Sequence, residues 1–134
     1  MGGELLGARL EAQLAFPGRI KTAFTSWRLG LRRTIENKDY LVVQGSQGTG
    51  TNQILGTFYF DQESGLLKRL VRMVPSPVGR VSVQIDYADY RDIGNGVKLP
   101  FEYLFSWLDG RYTAKIKEYK VNTAIDAAMF ARPK

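Results

Sequence analysis

A chain of 134 residues with 44% hydrophobic and 12% aromatic content lies outside the disordered range and can bury roughly two thirds of its unfolded surface. It contains neither cysteine nor histidine, which excludes disulfides, thiolate nucleophiles, imidazole bases, c-type haem attachment and conventional zinc sites. No apolar run approaches the roughly 18 residues of a membrane-spanning helix, and the net charge of +6 rests on 19 basic against 13 acidic residues.

Residues 1–16 lack the basic start and unbroken apolar core of a signal peptide, and position 6 is not the Ser or Thr that myristoylation expects. The chain therefore reads as a cytosolic protein or as a mature or excised piece of a longer one. Glu4–Leu14 places Leu5, Leu6, Leu10 and Leu14 on one stripe, with Glu4, Arg9, Glu11 and Gln13 elsewhere. This pattern predicts a short amphipathic helix that stops near Pro17-Gly18. Arg19–Thr25 is a further helical turn or an irregular link.

From Trp27 the period changes to two. Trp27, Leu29, Leu31 and Ile35 face one way, while Arg28, Arg32 and Thr34 face the other. Asn37-Lys38-Asp39 turns the chain into a strand over Tyr40–Gln44, and the polar, glycine-rich Gly45–Asn52 reads as a loop. Ile54–Phe60 is the next strand and Asp61–Gly65 a hairpin loop. Leu66–Val74 follows with hydrophobics on both faces, which leaves its inward side unassigned, and Pro75-Ser76-Pro77 ends it. Arg80–Arg91, Val97–Leu108 and Arg111–Asn122 complete seven strands, and Ile125–Phe130 reads as a helical turn plugging the sheet end. The expected fold is mainly β (α+β): an antiparallel meander of about seven strands, curved into a half-barrel, with the N-terminal helix over its concave face. One domain spans 1–134, with a helical cover over 1–25, the sheet over 26–122 and a C-terminal turn and tail over 123–134.

The strongest periodicity lies in Val97, Leu99, Phe101, Tyr103, Phe105 and Trp107, fenced by Asn95-Gly96 and Asp109-Gly110. A two-residue turn at Asp109-Gly110 pairs Trp107 with Tyr112, Phe105 with Ala114, Tyr103 with Ile116 and Phe101 with Glu118. It also sets Glu102 opposite Lys117. A three-residue loop at Gly94-Asn95-Gly96, with Gly96 as the left-handed residue, pairs Ile93 with Val97. That register sets Tyr87 against Tyr103, Ile85 against Phe105 and Val83 against Trp107. A two-residue turn would put Asp86 opposite Phe105, so the buried set selects the longer loop.

These registers build an aromatic wall from Val83, Ile85, Tyr87, Phe101, Tyr103, Phe105, Trp107, Tyr112 and Ile116. It runs into a charged end made of Asp89, Arg91, Glu118 and Lys120. That end is either the point where the sheet meets water or the polar mouth of an apolar groove. Asp89 and Glu118 could serve as acid and base only with a nucleophile and oxyanion donors, and none is legible. Gly45, Gly48 and Gly50 do not join a strand to a helix start, so they do not form a phosphate loop. Asp86, Asp89 and Asp92 alternate between faces, and no carboxylate run has calcium-loop spacing. Basic residues such as Arg28, Arg32, Arg33, Lys68, Arg69, Arg72, Lys115, Lys117 and Lys120 are dispersed. They read as the solvated side of a sheet, or as attraction to an anionic membrane surface. No nucleic-acid recognition motif accompanies them.

Three stretches carry a resemblance: Tyr59-Phe-Asp-Gln-Glu-Ser-Gly-Leu-Leu67, Ile85-Asp-Tyr-Ala-Asp-Tyr-Arg-Asp-Ile-Gly-Asn-Gly-Val-Lys-Leu-Pro-Phe101, and Val121-Asn-Thr-Ala-Ile-Asp-Ala-Ala-Met-Phe130. Together, over about residues 54–131, they resemble the C-terminal half of the outer-membrane lipoprotein-sorting family, carriers of the LolA/LolB-type fold. Their wording is also similar to a domain appended to bacterial proteins related to photosynthetic reaction-centre cytochrome c subunits. The resemblance implies an incomplete barrel around an acyl-chain cavity, lidded by helices, in the periplasm or envelope. The chain is shorter than a full carrier and lacks the Cys-x-x-Cys-His of a c-type cytochrome. The expectation is a non-enzymatic, cofactor-free domain whose partner is a lipid, an acyl chain or a lipoprotein. The competing expectation is a structural or interaction domain whose aromatic face is filled by its own helix, or one that oligomerises through a strand edge.

Overall fold

A computed structural model describes residues 2–15, 17–50 and 53–132. The elements run α1 (Gly2–Leu14), a 3₁₀ turn (Pro17–Thr22), β1 (Ser26–Leu29), β2 (Arg33–Ile35), β3 (Lys38–Gln47), β4 (Ile54–Asp61), β5 (Leu67–Ser76), β6 (Gly79–Asp92), β7 (Lys98–Trp107), β8 (Gly110–Lys115) and a 3₁₀ turn (Ala127–Phe130). All eight strands belong to one open antiparallel sheet, ordered β1-β3-β4-β5-β6-β7-β8 with β2 also on β3.

The eighth strand arises because the expected first strand is broken. Leu29 pairs with Val43 but Arg33 pairs with Tyr40, so three residues (30–32) oppose two on β3. This is an edge bulge. The following turn is Glu36-Asn37, one step earlier than Asn37-Lys38-Asp39, and both residues take the positive φ (52° and 60°) of a type I′ turn. The expected loop over Gly45–Asn52 starts too early, because β3 continues through Gln47; Thr51 and Asn52 lie outside the described residues.

Gly45 belongs in β3 for a packing reason. It pairs with Gly56 across β3 and β4, and the Phe24 ring lies on this pair. A Cβ at Gly45 would come within 2.6 Å of Phe24 Cγ, and one at Gly56 within 2.7 Å of Phe24 Cζ. Phe24 also meets Trp27 and Phe58 edge-on, at centroid distances of 5.1 and 5.6 Å. The core is built here, from Leu10 of α1, Ala23, Phe24, Ile54, Phe58, Leu70 and Ile85.

β5 shows why its inward side was unreadable. Tyr59 pairs with Arg69 and Phe60 with Leu67, so Lys68 is an extra residue in a bulge. Leu67 and Leu70, three apart, can then both join the core side. Proline does not end this strand: β5 runs through Pro75, which pairs with Arg80, to a hairpin closed by Ser76 and Gly79. In such a hairpin the pair next to the closing one is not hydrogen-bonded toward its partner. β4 has ended by then, its pairing reaching only Met73, so the missing N–H is not needed.

The hairpin of β4 and β5 is pinned by Asp61, whose carboxylate accepts the Glu63 N–H (3.1 Å), the Ser64 N–H (2.7 Å) and the Ser64 hydroxyl (2.8 Å). The Ser64 N–H bond is the main cause holding this carboxyl below its ordinary 3.8. A folded-state value below the unfolded one adds stability that is complete above the unfolded value and lost as pH falls through the folded one. Asp61→Asn is therefore expected to lower the thermal midpoint at neutral pH, with the gap to wild type closing as pH drops below 3.8. A series of melts across that range checks it, and a gap constant with pH would contradict it.

The β6–β7 register matches the three-residue loop: the Ile93 N–H donates to the Val97 carbonyl (2.9 Å), Gly96 has φ 74°, and Tyr87 and Ile85 face Tyr103 and Phe105. The β7–β8 register differs by two residues. Trp107 pairs with Gly110, Phe105 with Tyr112, Tyr103 with Ala114 and Glu102 with Lys115, so the turn is Leu108-Asp109. A two-residue slip keeps every side chain on its face. Gly110 is paired rather than in the turn, and the Trp107 indole lies over it, 3.1 Å from where a Cβ would stand.

Two terminal expectations also change. The last strand ends at Lys115, not Asn122. The turn at Ala127–Phe130 is capped by Asp126, whose carboxylate accepts the Ala128 N–H, but it plugs nothing: Ile125, Met129 and Phe130 are exposed.

Candidate functional site

Helix α1 covers β4 and β5 rather than the whole aromatic wall. Leu10 is buried and Leu14 packs against the core, while Leu5 is exposed; the Leu6 side chain lies outside the described residues. Arg72, a buried cation on β5, reaches the helix from below. It donates Nη1–H to the Gly7 carbonyl (2.9 Å) and Nη2–H to the Glu11 carboxylate. Its Nε has no partner among the described residues. Arginine follows Leu70 at the inward period of two, but the bulge at Lys68 hides that period in the sequence.

Beside α1 no described residue covers the wall, and a cavity of about 610 Å³ opens there. Its helix side is Glu11, Leu14, Ala15 and Ile20; its floor is Phe60, Leu67, Ile85, Tyr87, Tyr103 and Phe105; its far side is Tyr112, Ala114, Ile116 and Tyr119. The rings form a continuous stack: Tyr87 meets Tyr103 edge-on at 5.5 Å, Tyr103 stacks on Phe105 at 6.1 Å, and Phe105 stacks on Tyr112 at 4.7 Å. Such contacts hold each ring in a fixed orientation.

Phenol groups add polarity to this lining. Tyr119 donates to the Pro100 carbonyl (2.7 Å) and shares a 2.9 Å hydrogen bond with Tyr103. Tyr90 donates to the Leu67 carbonyl (2.5 Å). Burial pushes the Tyr87, Tyr90 and Tyr103 phenols up from their ordinary range, and for Tyr103 the Tyr119 hydroxyl adds to it. All three are neutral at physiological pH. The Tyr87 hydroxyl has no hydrogen-bond partner among the described residues, which leaves a neutral polar handle inside an apolar chamber. Lys98 and Glu11 are the charged residues of the lining.

Six of the wall residues expected from sequence line this cavity: Ile85, Tyr87, Tyr103, Phe105, Tyr112 and Ile116. Val83, Phe101 and Trp107 do not. Val83 pairs with Arg72 on β5, Trp107 sits over Gly110, and Phe101 is covered by Tyr119 (5.0 Å) and the Arg91 guanidinium (4.5 Å). The four charged residues do not gather at a mouth. Arg91 and Asp89 form one pair (2.5 Å) and Lys120 and Glu118 another (3.7 Å), each within its own segment. Asp86 is likewise taken by Arg69 (2.5 Å), and Asp92 accepts the Gly94 N–H. No metal-ligating cluster occurs among the described residues.

Sequence reading missed Ile20, Phe60, Leu67, Tyr90 and Tyr119 as cavity residues. Tyr90 escapes a strict period of two because Asp89 has φ 51° and the ladder has no Asp89–Phe101 pair. Tyr87 and Tyr90 can then line the same chamber. Tyr119 escapes because it lies past the end of β8, where a strand period no longer places it, and its hydroxyl reaches the Pro100 carbonyl.

A second hollow of about 520 Å³ lies among Ser26, Trp27, Arg28, Gln44, Ser46, Leu55, Thr57 and Met73. It mixes amide and hydroxyl groups with thioether and lacks the stacked rings of the first, which is the better chamber for an apolar guest. Compared with protein-family models, curated protein sequences and solved structures, the chain matches none.

Proposed function

We propose that the chain is a non-enzymatic binding domain for an apolar ligand, a lipid acyl chain, held between α1 and the wall of β6–β8. The carrying observation is the aromatic cavity of about 610 Å³ beside a close-packed core. The chamber is open to water on one side, so an apolar guest that seats there removes aromatic surface from solvent. The volume lies within the roughly 300–1,000 Å³ of small-molecule sites. The Tyr87 hydroxyl, whose proton is not taken by the described residues, supplies a hydrogen bond for a headgroup or ester without placing a charge among the rings.

On this reading the sheet acts as a half-barrel with α1 as a partial roof. The competing role, a face filled by its own helix, describes the β4–β5 half alone. A periplasmic or envelope setting and a lipoprotein cargo are the parts of the proposal that rest on the resemblance. Native mass spectrometry of gently purified protein tests it: a released adduct of lipid mass is expected. Only the bare chain mass, with no displacement of an apolar fluorophore by long-chain fatty acid at micromolar concentration, would overturn it.

A further inference from the structure

We propose that the sheet edge at Leu29–Arg33 docks on an anionic phospholipid bilayer. The bulge between β1 and β2 pushes this segment out, and its two leucines are among the most exposed apolar residues of the chain: Leu29 is 87% and Leu31 78% exposed. Leu41, the diagonal neighbour of Leu29 on the same side of the sheet, is also exposed and widens the apolar patch. Arg28, Arg32 and Arg33 flank the leucines along the edge, Arg28 and Arg33 from the opposite face of the sheet, and all three are exposed, so a surface meeting the edge end-on reaches both sets. None of these arginines has an ion-pair partner among the described residues; Arg28 only donates to the Gln44 amide oxygen (2.7 Å).

The charge of the chain is concentrated here. Residues 12–35 contain five basic residues and no carboxylate, which leaves fourteen basic and thirteen acidic residues elsewhere. Residues 12–35 therefore carry a net +5, offset in the adjoining β2–β3 turn by Glu36 and Asp39 against Lys38, and the Trp27 indole ties the 3₁₀ turn to β1 through the Lys21 carbonyl (3.1 Å). Bulges and charges do protect sheet edges from pairing, and that purpose accounts for the bulge and the arginines. It does not account for two protruding leucines. A second copy of the chain fits poorly, because the edge would meet its own arginines across a bulged ladder. An anionic bilayer fits both features: guanidinium groups at the phosphates, leucines in the acyl boundary.

The test is co-sedimentation of the whole chain with phosphatidylcholine vesicles, pure or carrying about a third phosphatidylglycerol. Wild type is expected to sediment with the anionic vesicles, less so in high salt. Leu29→Ser with Leu31→Ser is expected to reduce partitioning about tenfold or more, with an unchanged melt because both side chains are already in water. Arg32→Gln with Arg33→Gln is expected to abolish the preference for anionic vesicles. A cavity-blocking Ala114→Trp is expected to sediment as wild type, so this proposal and the ligand reading fail separately. Wild type remaining in the supernatant, the leucine variant sedimenting unchanged, or a leucine-dependent dimer in vesicle-free ultracentrifugation would overturn it.

Discussion

Phe58→Ala is expected to destabilise the fold by about 3–5 kcal/mol, toward the upper end of that range. The side chain is fully buried and lies against Phe24 (5.6 Å) and Trp27 (5.3 Å). The cost of a truncation depends on how far the surroundings can collapse into the space left. Here they have little to offer, because the adjoining floor is the Gly45–Gly56 pair, which has no side chains to move. Phe130→Ala, at an exposed position in the C-terminal turn, is expected to change stability by less than about 0.5 kcal/mol. Urea denaturation of both variants checks the contrast. A Phe58→Ala cost below about 1 kcal/mol would mean the core is not centred on the glycine platform.

The second large effect is an ordering. Glu11→Ala is expected to cost more than Arg72→Met, although Arg72 is the buried partner and Glu11 is half-exposed. Removing Glu11 leaves a desolvated guanidinium with one carbonyl partner at Gly7 and an unpaired Nε. Stranding a buried charge costs about 3–5 kcal/mol when the lost partner is fully buried; the water reaching Glu11 reduces this to about 1–3 kcal/mol. Arg72→Met removes charge and desolvation penalty together and keeps the apolar stem, so it is expected to be within about 1 kcal/mol of neutral. Equilibrium unfolding of the two single variants and the double variant measures the order directly. Arg72→Met proving the more costly would show that the ion pair, not the packing of α1, holds the helix down.

Where local chemistry and burial agreed, the sequence was readable. Gly94-Asn95-Gly96 permits one loop that buries Ile85 and Tyr87 together, and that register is the one observed. Where two frames bury the same face, the pattern could not choose. Asp109-Gly110 is a strong turn signal, yet Gly110 serves as the seat of the Trp107 ring, and β8 slides by two residues. Gly45 looked like loop because its role is to make room for Phe24, a contact between residues far apart in sequence. Arg72 looked like surface because the Lys68 bulge shifts the inward period of β5. The charged end was misplaced for a related reason: the turn of the backbone at Asp89 and the early end of β8 release Asp89, Arg91, Glu118 and Lys120 into local pairs. Tyr90 and Tyr119 are brought to the cavity instead.

An apolar guest in the open half of the wall can be displaced and blocked. Ala114 lines the cavity from β8, opposite Tyr103, so Ala114→Trp fills the chamber without displacing the buried cluster around Phe58. The most direct measurement is displacement of an apolar fluorophore by a long-chain fatty acid from wild type and Ala114→Trp in parallel. Saturable one-to-one displacement is expected from wild type and a loss of affinity of about tenfold or more in the variant, whose melt shifts less than that of Phe58→Ala. Equal displacement from both proteins, or none from wild type, would contradict it.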